Sequence, residues 1–331
     1  MNSPADAYDA LRDEISTVLV GQDDLVEHLT IALFTRGHVL VEGVPGVAKT
    51  TAAHVFARTL GLEYTRIQMT PDVLPADITG THVFREATGE FELQRGPIFS
   101  NLVLAYEINR ATPKTQAALL EAMQEGQVTL EGQTLPLPQP FMVIATQNPI
   151  EMDGTFDLPE AQRDRFQQKL IVDTPGRTDE RTLLDRFDED TTLGAGDVAQ
   201  VLSRQDVQEL RDAVMATHVA PAVKEYLLDL VRAVREDDHV DVGASPRATL
   251  TLLDTAKGRA AIHGRSYVIP DDVKTLAPQV LRHRLVLSTE ADLGSVTADE
   301  VIQAVLDRVA PPDVSQFDAG EAPVDPAVVD E

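Results

Sequence analysis

The sequence predicts an α/β fold: a parallel sheet held between helical layers, followed by a smaller, all-helical domain. Three observations carry that prediction. An apolar run at 39–42 feeds a loop with glycines at Gly43 and Gly46, and a helix-forming segment follows at 49–60. Further strand-like runs at 64–69, 101–107, 141–146 and 169–172 alternate with stretches of helical spacing, the order that builds strand–crossover–strand units. Beyond Thr174-Pro175-Gly176 almost everything is helical in period, at 178–190, 204–217, 221–236, 246–263, 271–282 and 298–309.

Composition bounds the functions open to such a chain. Its 331 residues are enough for two domains with a full core, and the absence of cysteine excludes disulfides, thiolate metal sites and a cysteine nucleophile. The acidic start lacks the apolar core of a secretory signal, and no apolar run approaches membrane-spanning length, so a soluble cytoplasmic protein is expected. Lys+Arg total 28 against 54 Asp+Glu, a formal charge of -26, which repels nucleic acid unless a local basic groove overcomes it. The acidic residues are spread along the chain. That distribution suits a halophilic cytoplasm, where salt screens self-repulsion; an ordinary acidic cytosolic protein is the competing reading.

The most informative stretch is His38-Val39-Leu40-Val41-Glu42-Gly43-Val44-Pro45-Gly46-Val47-Ala48-Lys49-Thr50. A buried strand, a loop from Gly43 through Ala48 and a helix beginning at Lys49 is the setting in which backbone N–H groups and a helix N-terminus surround a polyphosphate. Lys49 is expected to reach the outer phosphates, Thr50 to place its hydroxyl on a magnesium ion, and Thr51 to share in the cradle. Ala48 stands where this P-loop pattern usually has glycine. Its methyl group is tolerable if the residue has right-handed helical dihedrals.

The flanks supply further candidates. Helical segments at 7–19 and 23–36 are separated by Val20-Gly21-Gln22-Asp23, where Asp23 is expected to cap the second helix and Gln22 to lie where the chain wraps an adenine. Residues 70–99 read as an insertion with a small hairpin turning near Thr88-Gly89, and Glu131-Gly132 as the turn of a second hairpin between 128–130 and 134–137. Glu107 closes an apolar strand at what should be the ligand edge, followed by a helix at 114–124 with Pro113 in its first turn. Asn148 follows the next strand. Its amide offers both a donor and an acceptor to a water and a terminal phosphate. Arg163 and Arg165 lie close together after that strand, where an arginine finger toward a neighbouring subunit competes with a surface ion pair. Arg247 opens a helix and requires an anionic partner against the helix dipole. His263, His283, Lys257 and Arg259 form no metal-like constellation and read as surface or cradle residues. The acidic, Pro- and Ala-rich segment at 313–331 is expected to be a disordered tail.

The runs GHVLVEGVPGVAKT, RIQMTPDVLPADITGT, GEFELQRGPIF, EINRATPKTQAALLEAMQEGQVTLEG, FMVIATQNPIEMDGTFDLPEAQRDRF and GASPRATL stand in the order and separation of one family. From about residue 10 to about residue 312 the chain resembles the MoxR family of AAA+ ATPases. The resemblance implies a P-loop NTPase three-layer sandwich at 1–174, a helical lid at 175–312, and ATP with Mg2+ as cofactors. It makes Lys49 and Thr50 the Walker A pair, Glu107 the Walker B catalytic carboxylate and, with Thr50, part of the metal site. It makes Asn148 the sensor-1 group, Arg165 the finger offered in trans and Arg247 the sensor-2 arginine. Arg163, where the family carries an apolar residue, is a secondary finger candidate. Residues 72–94 are similar to the family's helix-2 insertion, and 126–138 to its pre-sensor hairpin.

The resemblance further implies a homo-oligomer, a hexameric ring, acting on a protein client and working with a von Willebrand factor A domain protein. One departure stands out. The family reads LADEINR and this chain reads LAYEINR, so Tyr106 replaces the aspartate that holds the magnesium shell. A neutral phenol cannot supply a carboxylate's charge. Slow hydrolysis is therefore expected, with a nucleotide-responsive scaffold as the alternative.

Overall fold

The computed structural model describes residues 3–87, 89–149, 154–192 and 194–312. Thr88 of the first expected hairpin turn and the whole 313–331 tail lie outside the described residues. By packing, the chain divides into two units, one of Ala7–Glu209 and the other of the residues from Leu210 onward together with 3–6. The boundary falls later than Thr174-Pro175-Gly176, because the intervening residues are tied back to the first unit. Arg186 Nη1 donates to the carbonyls of Ser16 and Thr17 at 2.6 and 2.8 Å, and Val201 N donates to Thr59 O at 2.7 Å.

The first unit is built on five parallel strands: β1 (Val39–Gly43), β2 (Tyr64–Gln68), β3 (Leu102–Tyr106), β4 (Met142–Gln147) and β5 (Gln168–Val172). Their order across the sheet is β2-β3-β4-β1-β5. The expected P-loop three-layer sandwich is present, with helices on both faces. Leu40, Ile67, Val103, Ala105, Val143 and Ala145 point to one face, where they pack with Leu119, Leu120 and Met123 of helix Pro113–Glu125. Alternation along a strand sends residues 64, 66, 104 and 106 to the other face. Helix Lys49–Thr59 packs there against β2 and β3, and His54 stacks on Tyr64 with ring centroids 4.7 Å apart.

Local chemistry explains the element ends. Thr112 caps helix Pro113–Glu125 by accepting from Thr115 N, and Gly126 ends it in the left-handed conformation. Strands Gln127–Leu130 and Gln133–Pro136 pair through Glu131 and Gly132, whose positive φ values of 47° and 86° suit a tight hairpin turn. Strands Gly80–Arg85 and Glu90–Arg95 form the other hairpin. Asp23 is not the cap expected of it: Gln22 occupies the N-cap without a side-chain bond, and Asp23 is the first helical residue. There its charge favours the positive end of the helix dipole without a capping hydrogen bond.

The second unit holds helices Pro221–Arg235, Pro246–Ile262, Pro270–Leu281 and Ala298–Arg308, three of them beginning with proline. It also contains an antiparallel pair, Val240–Val242 with Val286–Leu287, that helical periodicity alone did not reveal. Two residues read as surface or cradle groups are structural. His283 is buried, and Arg259 Nη1 donates to fully buried Asp272 at 2.8 Å, beside two 2.6 Å bonds from Arg265. A buried carboxylate persists when its charge is paired and its lone pairs are filled. Among the described residues no helix is long and apolar enough to cross a membrane.

Candidate functional site

Strand order gathers the candidates of the first unit. β1 lies between β4 and β5, and β4 lies between β3 and β1, so the loop after β1, Glu107 after β3 and Asn148 after β4 emerge at the same carboxyl edge. That edge is where open α/β sheets place ligands.

The loop is shaped by its backbone. Gly43 is pressed against β5, where a Cβ would stand 2.4 Å from Val172 O, while Gly46 has φ +93° and open space around it. Val47 is buried and Pro45 is exposed. Lys49 Nζ donates to the carbonyls of Gly43 and, at 2.8 Å, Val44, so the ammonium folds over the loop. Burial pushes the Lys49 ammonium below its ordinary value, and the charge of Glu107 opposes that shift. Glu107 is thus close enough for its charge to act on Lys49. Thr50 and Thr51 follow in the first turn of the helix, both partly exposed.

Ala48 does not meet the condition of right-handed dihedrals under which its methyl group is tolerated without strain. It has φ 60° and ψ 19°, left-handed, at the N-cap of helix Lys49–Thr59, while its carbonyl accepts the first helical bond from Ala52 N at 2.8 Å. The turn requires the glycine-like conformation that the family pattern encodes. Its Cβ conflict costs about 1–2 kcal/mol. Ala48→Gly is therefore expected to stabilise the first unit by about 0.5–1 kcal/mol after the extra chain entropy of glycine is deducted. Urea denaturation would register this as a higher midpoint at unchanged slope; a lower midpoint contradicts the strain.

Glu107 is also left-handed, with φ 57° and ψ 56° immediately beyond β3. Its backbone N–H donates to Thr146 Oγ1 on β4 at 2.9 Å, and its carboxylate accepts from Arg110 Nη1 at 3.2 Å. A strained acidic residue held from two sides at a strand end is a common device of functional sites. Sequence reading missed both partners. Arg110 was legible from its spacing three residues after Glu107, whereas Thr146 needed the pairing of β3 with β4. Asn148 is buried just past β4.

Tyr106 is half-buried at the end of β3, and the Arg66 guanidinium lies over its ring, 4.4 Å from the centroid. Arg66 Nη2 also donates to Gln68 Oε1 at 2.5 Å. For magnesium, expected at Thr50 and Glu107, the donor set does not fit. A divalent ion of this kind takes oxygen ligands, with carboxylates supplying charge. Thr50 offers one hydroxyl, Glu107 is paired with Arg110, and position 106 presents a ring already occupied by a cation. No group of three or more His, Asp or Glu able to hold a metal occurs among the described residues.

The remaining candidates belong to other elements of the chain. Arg163 ends the short helix Glu160–Arg163 and Arg165 follows it; neither carries an ion pair among the described residues. Gln22 is partly exposed, next to a cleft of about 450 Å³ lined by Leu19, Val20, Gly21, Asp179 and Arg186. Arg247 belongs to the second unit, where it is exposed in the first turn of helix Pro246–Ile262.

Comparison with known proteins fits this geometry. The model of the ATPase family associated with various cellular activities (AAA) matches residues 38–168, and that of the AAA lid domain matches 232–305. The fold and site thus define an AAA ATPase with a helical lid. Chaperone MoxR1 of Mycobacterium tuberculosis is 44% identical over 91% of this chain and 81% of its own length. Protein MoxR of Methylorubrum extorquens is 32% identical, covering 93% and 96%. A crystal structure from Cytophaga hutchinsonii superposes with a TM-score of 0.87 at 38% identity, covering 94% of this chain and 96% of that one. The chain belongs to the MoxR family of AAA ATPases. Membership supports ATPase activity and a chaperone-like role.

Proposed function

We propose that the chain is an ATP-driven remodelling protein that binds ATP in the loop after β1, hydrolyses it slowly and uses the change to act on a protein client. The observation that carries this reading is the convergence of Lys49, Glu107 and Asn148 at adjoining strand ends, with a tyrosine in the one position where the family has a second carboxylate. Lys49 leaves the loop carbonyls for the outer phosphates, and the loop N–H groups and helix N-terminus take the remaining charge. Glu107 orients and deprotonates the attacking water, while Asn148 bridges that water and the terminal phosphate. Gln22 is assigned to the border of the adenine, and the role of sensor-2 arginine falls to Arg247.

Arg165 acts from a neighbouring copy, in a homo-oligomer read as a hexameric ring. Its support is positional: it follows β4, is partly exposed, and has no ion pair among the described residues that would hold it within its own subunit. A guanidinium supplied in trans stabilises charge on the transferring phosphoryl group without being needed for folding. The relative named as a chaperone supports a protein client, with a von Willebrand factor A domain protein as the partner class the family suggests. The charge of -26 opposes nucleic acid as that client. A scaffold that binds ATP and barely turns over is the second reading, favoured by Tyr106.

The test mixes two inactive variants. Glu107→Gln retains the finger, and Arg165→Ala retains the water-orienting carboxylate, so exchanged assemblies contain some sites with both groups. Phosphate release should return on mixing at high potassium chloride, the setting suited to so acidic a chain. Confirmed subunit exchange without recovered release would remove the trans assignment.

A further inference from the structure

The face of the sheet on which helix Lys49–Thr59 packs carries, on the edge strand β2, an exposed cation that the reading so far leaves unused. Tyr64, Arg66 and Gln68 alternate onto that face, as does Tyr106 of the neighbouring strand, with Gln68 and Tyr106 in register. The stacked pair His54 and Tyr64 fixes the level of helix against strand. From His54, one turn back toward the helix start reaches Thr50, a rise of about 6 Å. From Tyr64, two residues along β2 reach Arg66, a rise of about 6.6 Å in the same direction. Arg66 therefore stands level with Thr50, at the phosphate end of the helix.

What holds Arg66 there is uncharged. Its guanidinium lies on the Tyr106 ring and donates to the Gln68 amide oxygen. Among the described residues it carries no ion pair, in a chain with 54 acidic residues. An aspartate at position 106 would place a carboxylate beside this guanidinium and consume its charge. The phenol ring instead orients it while leaving that charge unneutralised. A planar fork of N–H donors is suited to phosphate oxygens.

We propose that Arg66, held over Tyr106, is a phosphate-binding residue of this site and serves as a fixed cation for the terminal phosphates of a nucleoside triphosphate, so that nucleotide binding depends only weakly on divalent ion. This rests on the reading of the loop after β1 as the nucleotide site. Tyr106 is then more than a lost carboxylate: it exchanges an exchangeable metal charge for a permanent one.

Calorimetric titration with ATP, run once in magnesium and once in EDTA, tests the inference on the full chain. The unmodified protein should change its Kd less than about threefold between the two conditions, and Arg66→Ala should lose about tenfold in EDTA. Tyr106→Phe, which keeps the ring and removes the hydroxyl, should behave as the unmodified protein; this separates stacking from a hydroxyl-bridged metal. Tyr106→Asp should bind poorly in EDTA and recover in magnesium. Loss of tenfold or more by the unmodified protein on removal of magnesium, or an Arg66→Ala affinity equal to wild type in EDTA, overturns the inference and leaves the nucleotide site standing. Absence of ATP binding in both conditions would overturn the site itself and this inference with it.

Discussion

Replacing Tyr106 with aspartate is expected to raise the saturated rate of ATP hydrolysis about a hundredfold, the scale of one electrostatic contact worth about 3 kcal/mol in the transition state. The loop, Glu107 with its Thr146 and Arg110 partners, and Asn148 stand at one sheet edge, so under the proposed function the substitution restores the one charge that edge lacks. Charge builds on the phosphoryl group as it transfers, and a correctly placed counter-ion matters more there than in the ground state. Hydrolysis should also become more responsive to magnesium, because aspartate supplies the anionic oxygen that the tyrosine ring lacks. Equal saturated rates and equal magnesium dependence in the two proteins, at matched oligomeric state, would mean that the tyrosine is compatible with normal turnover.

Lys49→Ala should weaken ATP binding about a hundredfold, as removal of a charged hydrogen-bonding group worth up to about 3 kcal/mol would. Among the described residues the ammonium hydrogen-bonds only to the carbonyls of Gly43 and Val44, and it contributes nothing to the sheet's apolar core, so the variant should fold normally. Circular dichroism and a melting curve close to wild type, together with the weakened titration, are the expected pair of results. A Kd equal to that of the unmodified protein would remove Lys49 from the site.

The strands and long helices were legible because each has a strong physical signature. Apolar runs bounded by glycine or proline became the five strands, and prolines at 113, 221, 246 and 270 marked helix starts that the structure reproduces. Glu131-Gly132 was legible as a turn because few residue pairs accept two positive φ values. The misreadings share a cause. Ala48 is left-handed because the loop must turn sharply into its helix, and tertiary context imposes that conformation on a residue that would not choose it. His283 and Arg259 looked like surface groups because burial among helices leaves no mark on local sequence.

At the site, the order of candidates along the chain was legible, but their partners were not. Thr146 and Glu107 meet only because β3 and β4 are neighbours, and Arg66 reaches Tyr106 only across the β2–β3 pairing. Strand order is a long-range property, invisible to spacing within any one segment. For the same reason position 106 read as a simple loss, when its ring is engaged by a cation from the adjoining strand.

The most direct measurement of the central claim is steady-state phosphate release from saturating ATP, at high potassium chloride, by the unmodified chain and by Glu107→Gln. Slow but measurable release that disappears in Glu107→Gln, with ATP affinity retained in both, is the predicted result. Release at the same rate in both proteins would place the chemistry elsewhere and contradict the assignment of this sheet edge as the hydrolytic site.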